Sequence, residues 1–203
     1  PDVIFWWDNK QFDSSVAGKL VRLNDYLDKD LLAKIPQSVW DMVAIDDEAI
    51  YYVPATTDVF VLMYNKDVFK SAGLDPNNPP KTWDELLAAC EAINKTGIPA
   101  IGVPAKTGME TLQEFVTNFV VCKTGKDMID ENNQPTFNTP EGLEAMEYIA
   151  KLFKYAQPSA TEFGRGELRP MLRDGKIGMI LESAWAIPLF QEAFGENLDN
   201  SPI

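Results

Sequence analysis

Short apolar runs with strand character alternate along this chain with segments of helical spacing. The runs at 3–7, 58–64 and 175–183 contain β-branched and aromatic residues, which favour strands. The segments between them repeat apolar residues every three or four positions, as amphipathic helices do. Because alternating strands and helices pack as a sheet with helices on its faces, the sequence predicts an α/β fold.

A highly punctuated stretch, residues 63–86, indicates where one helix ends and the next begins. A brief helix is predicted to end at Gly73, because glycine tolerates the left-handed backbone that follows many helices. The prolines among residues 75–80 exclude regular structure there. Thr82 precedes Glu85 by three positions, which is the pattern of a capping box and predicts the start of a helix.

Two other segments have helical spacing with a defined apolar face. The first covers 30–44 and is predicted to be one helix with Pro36 near its first turn. The second follows Thr139, a predicted N-cap, and begins with a proline at the first helical position. Four apolar residues are expected on its buried face: Leu143, Met146, Ile149 and Phe153.

Charge and residue types exclude several classes of function. The formal net charge of −13 repels phosphate backbones, so nucleic acid is not an expected partner. Histidine is absent, and Cys90 and Cys122 have no metal-ligand spacing, so neither a metal nor a cofactor is expected. Both cysteines lie beside apolar residues in helix-like segments and are expected to be free core thiols, with a disulfide between them left open.

Aromatic and short polar side chains follow or open the predicted strands, as in sites that bind sugars. Trp6 precedes Asp8 and Asn9, so an indole that can stack on a sugar ring adjoins groups that bind hydroxyls. Asp58 opens the next predicted strand, and Trp185 lies at a strand-to-helix junction. Each feature has a simpler alternative, since tryptophans also fill cores and Asp or Asn also form turns.

Other charged groups are less suited to a site. The acidic residues 46–48 are adjacent in a predicted turn, whereas glycosidases need two carboxyls roughly 5–9.5 Å apart across a cleft. We therefore assign no catalytic residue and favour a solvated turn. Arg165, Arg169 and Arg173 recur every four residues on one predicted helix face, which could bind an anion but is more typical of a solvated surface.

The order of three motifs carries a family resemblance: VPATTDVFVLMYNKDVFKSAGL, PPKTWDELLAAC and DGKIGMILESAW. Together with the opening PDVIFWWDN, they resemble the family 1 extracellular solute-binding proteins of ABC importers, the maltose-binding-protein-like group. The resemblance implies a periplasmic-binding-protein-like two-lobed clamshell. Residues 1–64 would form part of lobe one and 65–203 most of lobe two. Because family members are longer than this chain, we expect a fragment that is incomplete at both ends.

The same resemblance implies a function. The protein is expected to bind a sugar or oligosaccharide between the lobes and to deliver it to ABC permease subunits, without enzymatic activity. Its expected location is extracytoplasmic, either in the periplasm or as a lipoprotein on the cell surface. A same-fold protein for a non-sugar, such as glycerophosphate or a polyamine, is the main alternative, and an acid glycosidase is a weaker one.

The ligand-binding residues implied by the resemblance come from both predicted lobes: Trp6, Asp8, Asn9, Asp58, Glu110 and Trp185. Trp185 matches the family's stacking tryptophan of lobe two. One departure from the family pattern precedes it, because Glu182 and Ser183 stand where relatives have a turn with glycine or asparagine. We expect these two residues to reshape the pocket.

Overall fold

The computed structural model describes residues 19–45, 49–56, 58–107, 111–130, 132–195 and 201–203. Its chain divides into two compact units, residues 1–58 and 59–203. The predicted strand at 3–7 and the acidic turn at 46–48 lie outside the described residues. The lobe boundary predicted after Tyr64 falls later in the chain than this division, and the assignment of lobes stays a prediction.

In the first unit, two short helices precede a small antiparallel sheet: α1 (Lys29–Lys34), α2 (Gln37–Val43), β1 (Ala44–Ile45) and β2 (Ala49–Ile50). Among the described residues, the buried apolar side chains of this unit are those of Trp40, Val43 and Ile50. The indole of Trp40 also donates a hydrogen bond to the Leu32 carbonyl at 3.1 Å. Trp40 therefore ties the two helices together.

The single helix predicted over 30–44 is wrong, because the helical segment is interrupted before α2. Ile35 is extended, with φ −105° and ψ 128°. The ring of Pro36 clashes with helical backbone at the preceding residue, which accounts for the break. Pro36 then occupies the N-cap of α2.

The second unit alternates strands and helices, as predicted. The elements in chain order are β3 (Phe60–Tyr64), α3 (Lys66–Ser71), α4 (Trp83–Asn94), β4 (Ile101–Gly102), α5 (Thr111–Thr124), α6 (Pro140–Leu152), α7 (Arg165–Arg173), β5 (Met179–Ser183) and α8 (Ile187–Phe194). Within the described residues, β5 is the central strand of the sheet, antiparallel to β3 and parallel to β4.

Alternate residues of β5 face different helical layers. Met179 belongs to the core formed with helices α3 to α6, and Leu181 packs against it. Ile180 belongs instead to the core formed with α7 and α8. Since successive strand side chains point to opposite faces, one strand anchors both layers. The predicted α/β architecture, with helices on both faces of a sheet, is confirmed for this unit.

Helix ends in the punctuated stretch form as predicted. Gly73 follows α3 with a φ of +75°, the left-handed conformation that glycine adopts without strain. The Thr82 hydroxyl accepts from the Glu85 amide at 3.2 Å, and the Glu85 carboxylate accepts from the Thr82 amide at 3.1 Å. Both halves of the capping box are therefore present at the start of α4.

The buried face predicted for α6 is wrong for all but one of its four residues. Leu143, Met146 and Phe153 are exposed, whereas Ile149 is buried. The helix instead packs through its other apolar stripe, where Tyr148 stacks on the Trp83 ring at a centroid distance of 4.5 Å. Both stripes have helical spacing, so the choice between them depends on packing against α4 and α5.

The two cysteines differ in environment. Both are free, but Cys90 is buried in α4 and Cys122 is exposed on α5. The expectation of a core thiol is therefore confirmed for Cys90 and wrong for Cys122. Burial, with a smaller effect from the charge of Glu91, raises the pKa of the Cys90 thiol to about 12.

We expect a thiol reagent at mildly alkaline pH to label Cys122 in the folded protein and to leave Cys90 unmodified. Only the thiolate reacts, and a raised pKa together with burial suppresses the thiolate of Cys90. Mass spectrometry of the labelled peptides measures this selectivity. Cys122→Ser should abolish labelling until the protein is unfolded. Rapid labelling of Cys90 under native conditions would contradict the packing described for α4.

A tight approach between β4 and β5 generates a stability prediction. A Cβ at Gly102 would lie 2.7 Å from Ile180 Cγ2 and 2.9 Å from Ile177 Cδ1. We expect Gly102→Ala to lower the free energy of unfolding by about 1–3 kcal/mol, the usual cost of overpacking a core. Urea denaturation measures it. Gly166→Ala is the matched control, because a Cβ there meets no atom within 4 Å, and it should not destabilise.

Candidate functional site

Several polar and aromatic groups of the second unit meet where β5 ends and β3 begins. Phe60 pairs with Ser183 across these strands. The chain then enters a short 3-10 turn over Ala184–Ala186, which carries Trp185. The Ser183 hydroxyl accepts from the Trp185 amide at 3.4 Å, a local cap for this turn. Sheet pairing therefore fixes the base from which the Trp185 side chain extends.

Glu182 is a fully buried carboxylate at this end of the sheet. Its Oε2 accepts from Arg169 Nε at 2.7 Å, and its Oε1 accepts from the Ser183 amide at 2.8 Å. Arg165 Nε lies 3.7 Å from the same Oε1. Since an unpaired buried charge is costly, these contacts are what make a carboxylate tolerable at this position.

Arg165 links Glu182 to a further acidic side chain. Its Nη2 lies 2.5 Å from Glu114 Oε2, and its guanidinium carbon lies 4.7 Å from the centre of the Phe60 ring. We call Arg165, Arg169, Glu114 and Glu182 the arginine–glutamate cluster. Two positive and two negative side chains give this cluster a formal charge of zero.

Trp185 is exposed beside this cluster. About 54% of its surface is accessible, and the Arg169 guanidinium carbon lies 4.6 Å from the centre of its ring. A guanidinium over an indole face is a favourable cation–π contact. The arrangement presents a large aromatic surface to solvent and supports it from one side, as stacking on a ligand requires.

The structure places two of the residues predicted to bind ligand. Trp185 is exposed in the second unit, and Asp58 is exposed at the end of the first unit. Four others lie outside the described residues: Trp6, Asp8, Asn9 and Glu110. The convergence of all six on one ligand therefore stays a prediction.

The sequence favours a solvated surface for the three arginines of α7, and this expectation is wrong for two of them. Only 13% of the Arg165 side chain and 18% of the Arg169 side chain are accessible, and both pair with Glu182. Arg173 is 44% accessible and pairs with Asp174. The sequence signal for this pairing is Glu182, a charged residue within the apolar run of β5. Such a residue needs cationic partners if the strand is buried.

An apolar crevice lies beside α4 and α5, among side chains that include Leu62, Leu181 and Phe119. Its volume is about 220 Å³, below the roughly 300–1,000 Å³ of common ligand pockets. Among the described residues, no cluster of His, Cys, Asp and Glu is suited to a metal ion. Trp185 and its surroundings are therefore a better candidate for a binding surface than this crevice.

Comparison with known proteins defines the class. A family model described as bacterial extracellular solute-binding protein matches residues 1–200. The chain therefore belongs to the bacterial extracellular solute-binding protein family. The motifs quoted from the sequence indicated the same family, and that prediction is confirmed. Along the described part of the chain, no helix is both long and apolar enough to cross a membrane.

Individual relatives are similar to this chain at modest sequence identity. An arabinooligosaccharide-binding protein of Halalkalibacterium halodurans is 26% identical over 194 residues, covering 91% of this chain and 39% of that protein. A probable amino-acid ABC transporter periplasmic-binding protein of Sinorhizobium fredii is 28% identical over 166 residues, covering 81% and 36%. The chain thus spans less than half the length of these relatives.

A solved structure supports the fold assignment. The solute-binding protein of Thermotoga lettingae bound with α-D-tagatose aligns with a TM-score of 0.78 and 29% identity. The alignment covers 94% of this chain and 50% of that one. The predicted periplasmic-binding-protein-like fold class is therefore confirmed, as part of a longer fold.

Removal of the buried carboxylate generates a second stability prediction. We expect Glu182→Gln to lower the free energy of unfolding by about 3–5 kcal/mol, because it leaves two largely inaccessible arginines without their shared partner. Urea denaturation measures the loss. Asp174→Asn is the control, since it breaks an exposed pair with Arg173 and should change stability little. Equal effects of the two substitutions would contradict a structural role for Glu182.

Proposed function

We propose that the whole protein is the substrate-binding component of an ABC importer, located outside the cytoplasm in the periplasm or as a lipid-anchored protein. In this proposal its two lobes, residues 1–64 and 65–203 with further segments, close as a clamshell on a sugar or oligosaccharide. Closure follows from the ligand's higher affinity for the closed state. The closed protein then presents the ligand to the permease subunits. The family is one of binding proteins, and we propose no catalytic step.

The single observation that supports a sugar as the ligand is the exposed indole of Trp185. Its accessible surface and its support by Arg169 suit it to stack on the apolar face of a sugar ring. Hydroxyl groups would then be bound by Trp6's polar neighbours Asp8 and Asn9, and by Asp58 and Glu110. The sugars named for the Thermotoga and Halalkalibacterium proteins support this ligand class.

Electrostatics disfavour a phosphate ligand at Trp185. The arginine that lies over the indole, Arg169, belongs to the arginine–glutamate cluster, whose formal charge is zero. Arg165 and Arg169 are both ion-paired with glutamates, so a phosphate would have to displace these carboxylates. An uncharged sugar needs no such exchange. Glycerophosphate is therefore a weaker candidate than a carbohydrate at this surface.

A cationic or zwitterionic ligand is the second candidate. The Sinorhizobium relative is named for amino-acid transport, and the overall charge of −13 favours the approach of cations. In this case Asp8 and Asp58 would bind an ammonium group of an amino acid or polyamine. The ring of Trp185 would serve the same ligand through a cation–π contact.

We expect sugars to raise the melting temperature of the full-length protein, because a ligand that binds only the folded state stabilises it. The panel is α-D-tagatose, arabinooligosaccharides, maltose, glycerol 3-phosphate, spermidine and amino acids. Calorimetry then gives the affinity of the best sugar. Trp185→Ala should weaken it at least tenfold, about 1.4 kcal/mol, whereas Trp185→Phe should lose less because a flat ring remains.

Tyr26→Ala is the control for the loss of an exposed aromatic side chain, since Tyr26 is exposed on the first unit and is not among the residues proposed to bind the ligand. Its affinity should equal that of the parent protein. Stabilisation by spermidine or amino acids but not by sugars would favour the second candidate. Equal sugar affinity in Trp185→Ala would remove Trp185 from the site.

A further inference from the structure

We propose that Arg169 is a positioning residue that fixes the ring of Trp185 so that one face is covered and the other is presented to the ligand. This inference rests on the proposed function, because it deepens the role of the same surface. Neither the family pattern nor the stacking tryptophan requires it. It depends on Glu182, one of the two residues that depart from the family's usual turn.

The first step is the anchoring of the guanidinium. Arg169 Nε donates to the fully buried Glu182 Oε2 at 2.7 Å. The guanidinium is planar, so a hydrogen bond at Nε restricts both its position and the direction of its plane. An arginine held in this way on α7 is a rigid support, unlike an exposed arginine that samples many rotamers.

The second step joins the same carboxylate to the backbone that carries the indole. Glu182 Oε1 accepts from the Ser183 amide at 2.8 Å, and the Ser183 hydroxyl accepts from the Trp185 amide. The Ala184 amide also donates to the Val59 carbonyl at 2.9 Å, which ties the turn to the segment before β3. Support and turn thus share one anchor, Glu182.

The third step is the covering of one ring face. Arg169 lies over the Trp185 ring with its guanidinium carbon 4.6 Å from the ring centre, yet about 54% of the tryptophan stays accessible. A ligand ring can therefore stack only on the face away from Arg169. Since the indole is held before binding, little side-chain freedom is lost when the ligand arrives.

A purely structural role for Arg169 is the alternative. In that case the residue only connects α7 to β5 through Glu182, and the indole rotates independently of it. The two roles differ in what happens when the positive charge is kept but the planar group is lost. Arg169→Lys preserves a cation that can pair with Glu182, whereas a compact ammonium does not stack flat on an indole.

The test uses full-length protein labelled with 5-fluorotryptophan and observed by fluorine NMR. Trp185→Phe identifies the Trp185 resonance among those of the five tryptophans in this chain and any others. We expect Arg169→Lys and Arg169→Met to shift or broaden this resonance. Arg173→Met is the matched control, because Arg173 lies on the same helix and pairs with Asp174, and it should leave the resonance unchanged.

The same variants are titrated with the sugar that stabilises the parent most in the thermal-shift panel. We expect the dissociation constant to rise about tenfold in Arg169→Met, less in Arg169→Lys, and to stay unchanged in Arg173→Met. Arg169→Lys keeps the test decisive if Arg169→Met fails to fold. The spectra need no ligand, so they test positioning even if no sugar binds and the proposed function fails.

An unchanged Trp185 resonance in Arg169→Lys and Arg169→Met would overturn the positioning role. A shifted resonance with unchanged sugar affinity would overturn its importance for binding. An equal shift in Arg173→Met would show that any loss of charge on α7 disturbs the indole, which also contradicts the inference.

Discussion

A carboxylate with no accessible surface, Glu182, is the constraint on which the exposed end of the second unit depends. Water cannot solvate it, so the protein must supply the cations and the amide that it needs. Arg165 and Arg169 of α7 and the Ser183 amide do so. The carboxylate therefore determines which face of α7 turns inward and how the strand leads into the turn that follows.

The rest of the unit provides a rigid base for this arrangement. Strand β5 contributes alternate side chains to the cores on both sides of the sheet, and its pairing with β3 aligns Ser183 with Phe60. A polar network at the end of such a strand moves little relative to the strand itself. In this way arginine, a residue type that is ordinarily exposed to solvent, becomes a fixed support for an aromatic surface.

Local signals in the sequence were enough to predict the helix ends and the strands at β3 and β5. Gly73, Thr82 and Glu85 act through contacts within a few residues, so their pattern is sufficient. The family was also readable, since it depends on the order of motifs. Predictions that needed tertiary information were less successful. The exposed face of α6 and the partial burial of Arg165 and Arg169 on α7 depend on which neighbouring elements pack against them.

The break at Pro36 is an intermediate case. Its cause is local, but the apolar spacing on both sides continues the helical pattern, so the spacing concealed the effect of the proline. The candidate site shows the same division. Trp185 is predicted from the junction at which it lies and from the family resemblance. The proposed role of Arg169 follows instead from a contact with a residue distant in sequence, and no periodic pattern encodes that contact.

The order of strands in the second sheet has a consequence for handling the protein. Within the described residues, β3 has a neighbouring strand on one side only. An open strand edge is a template on which another extended segment adds by backbone hydrogen bonding, which in free solution leads to self-association. Samples of this chain should therefore be kept dilute, and their state of aggregation followed by light scattering.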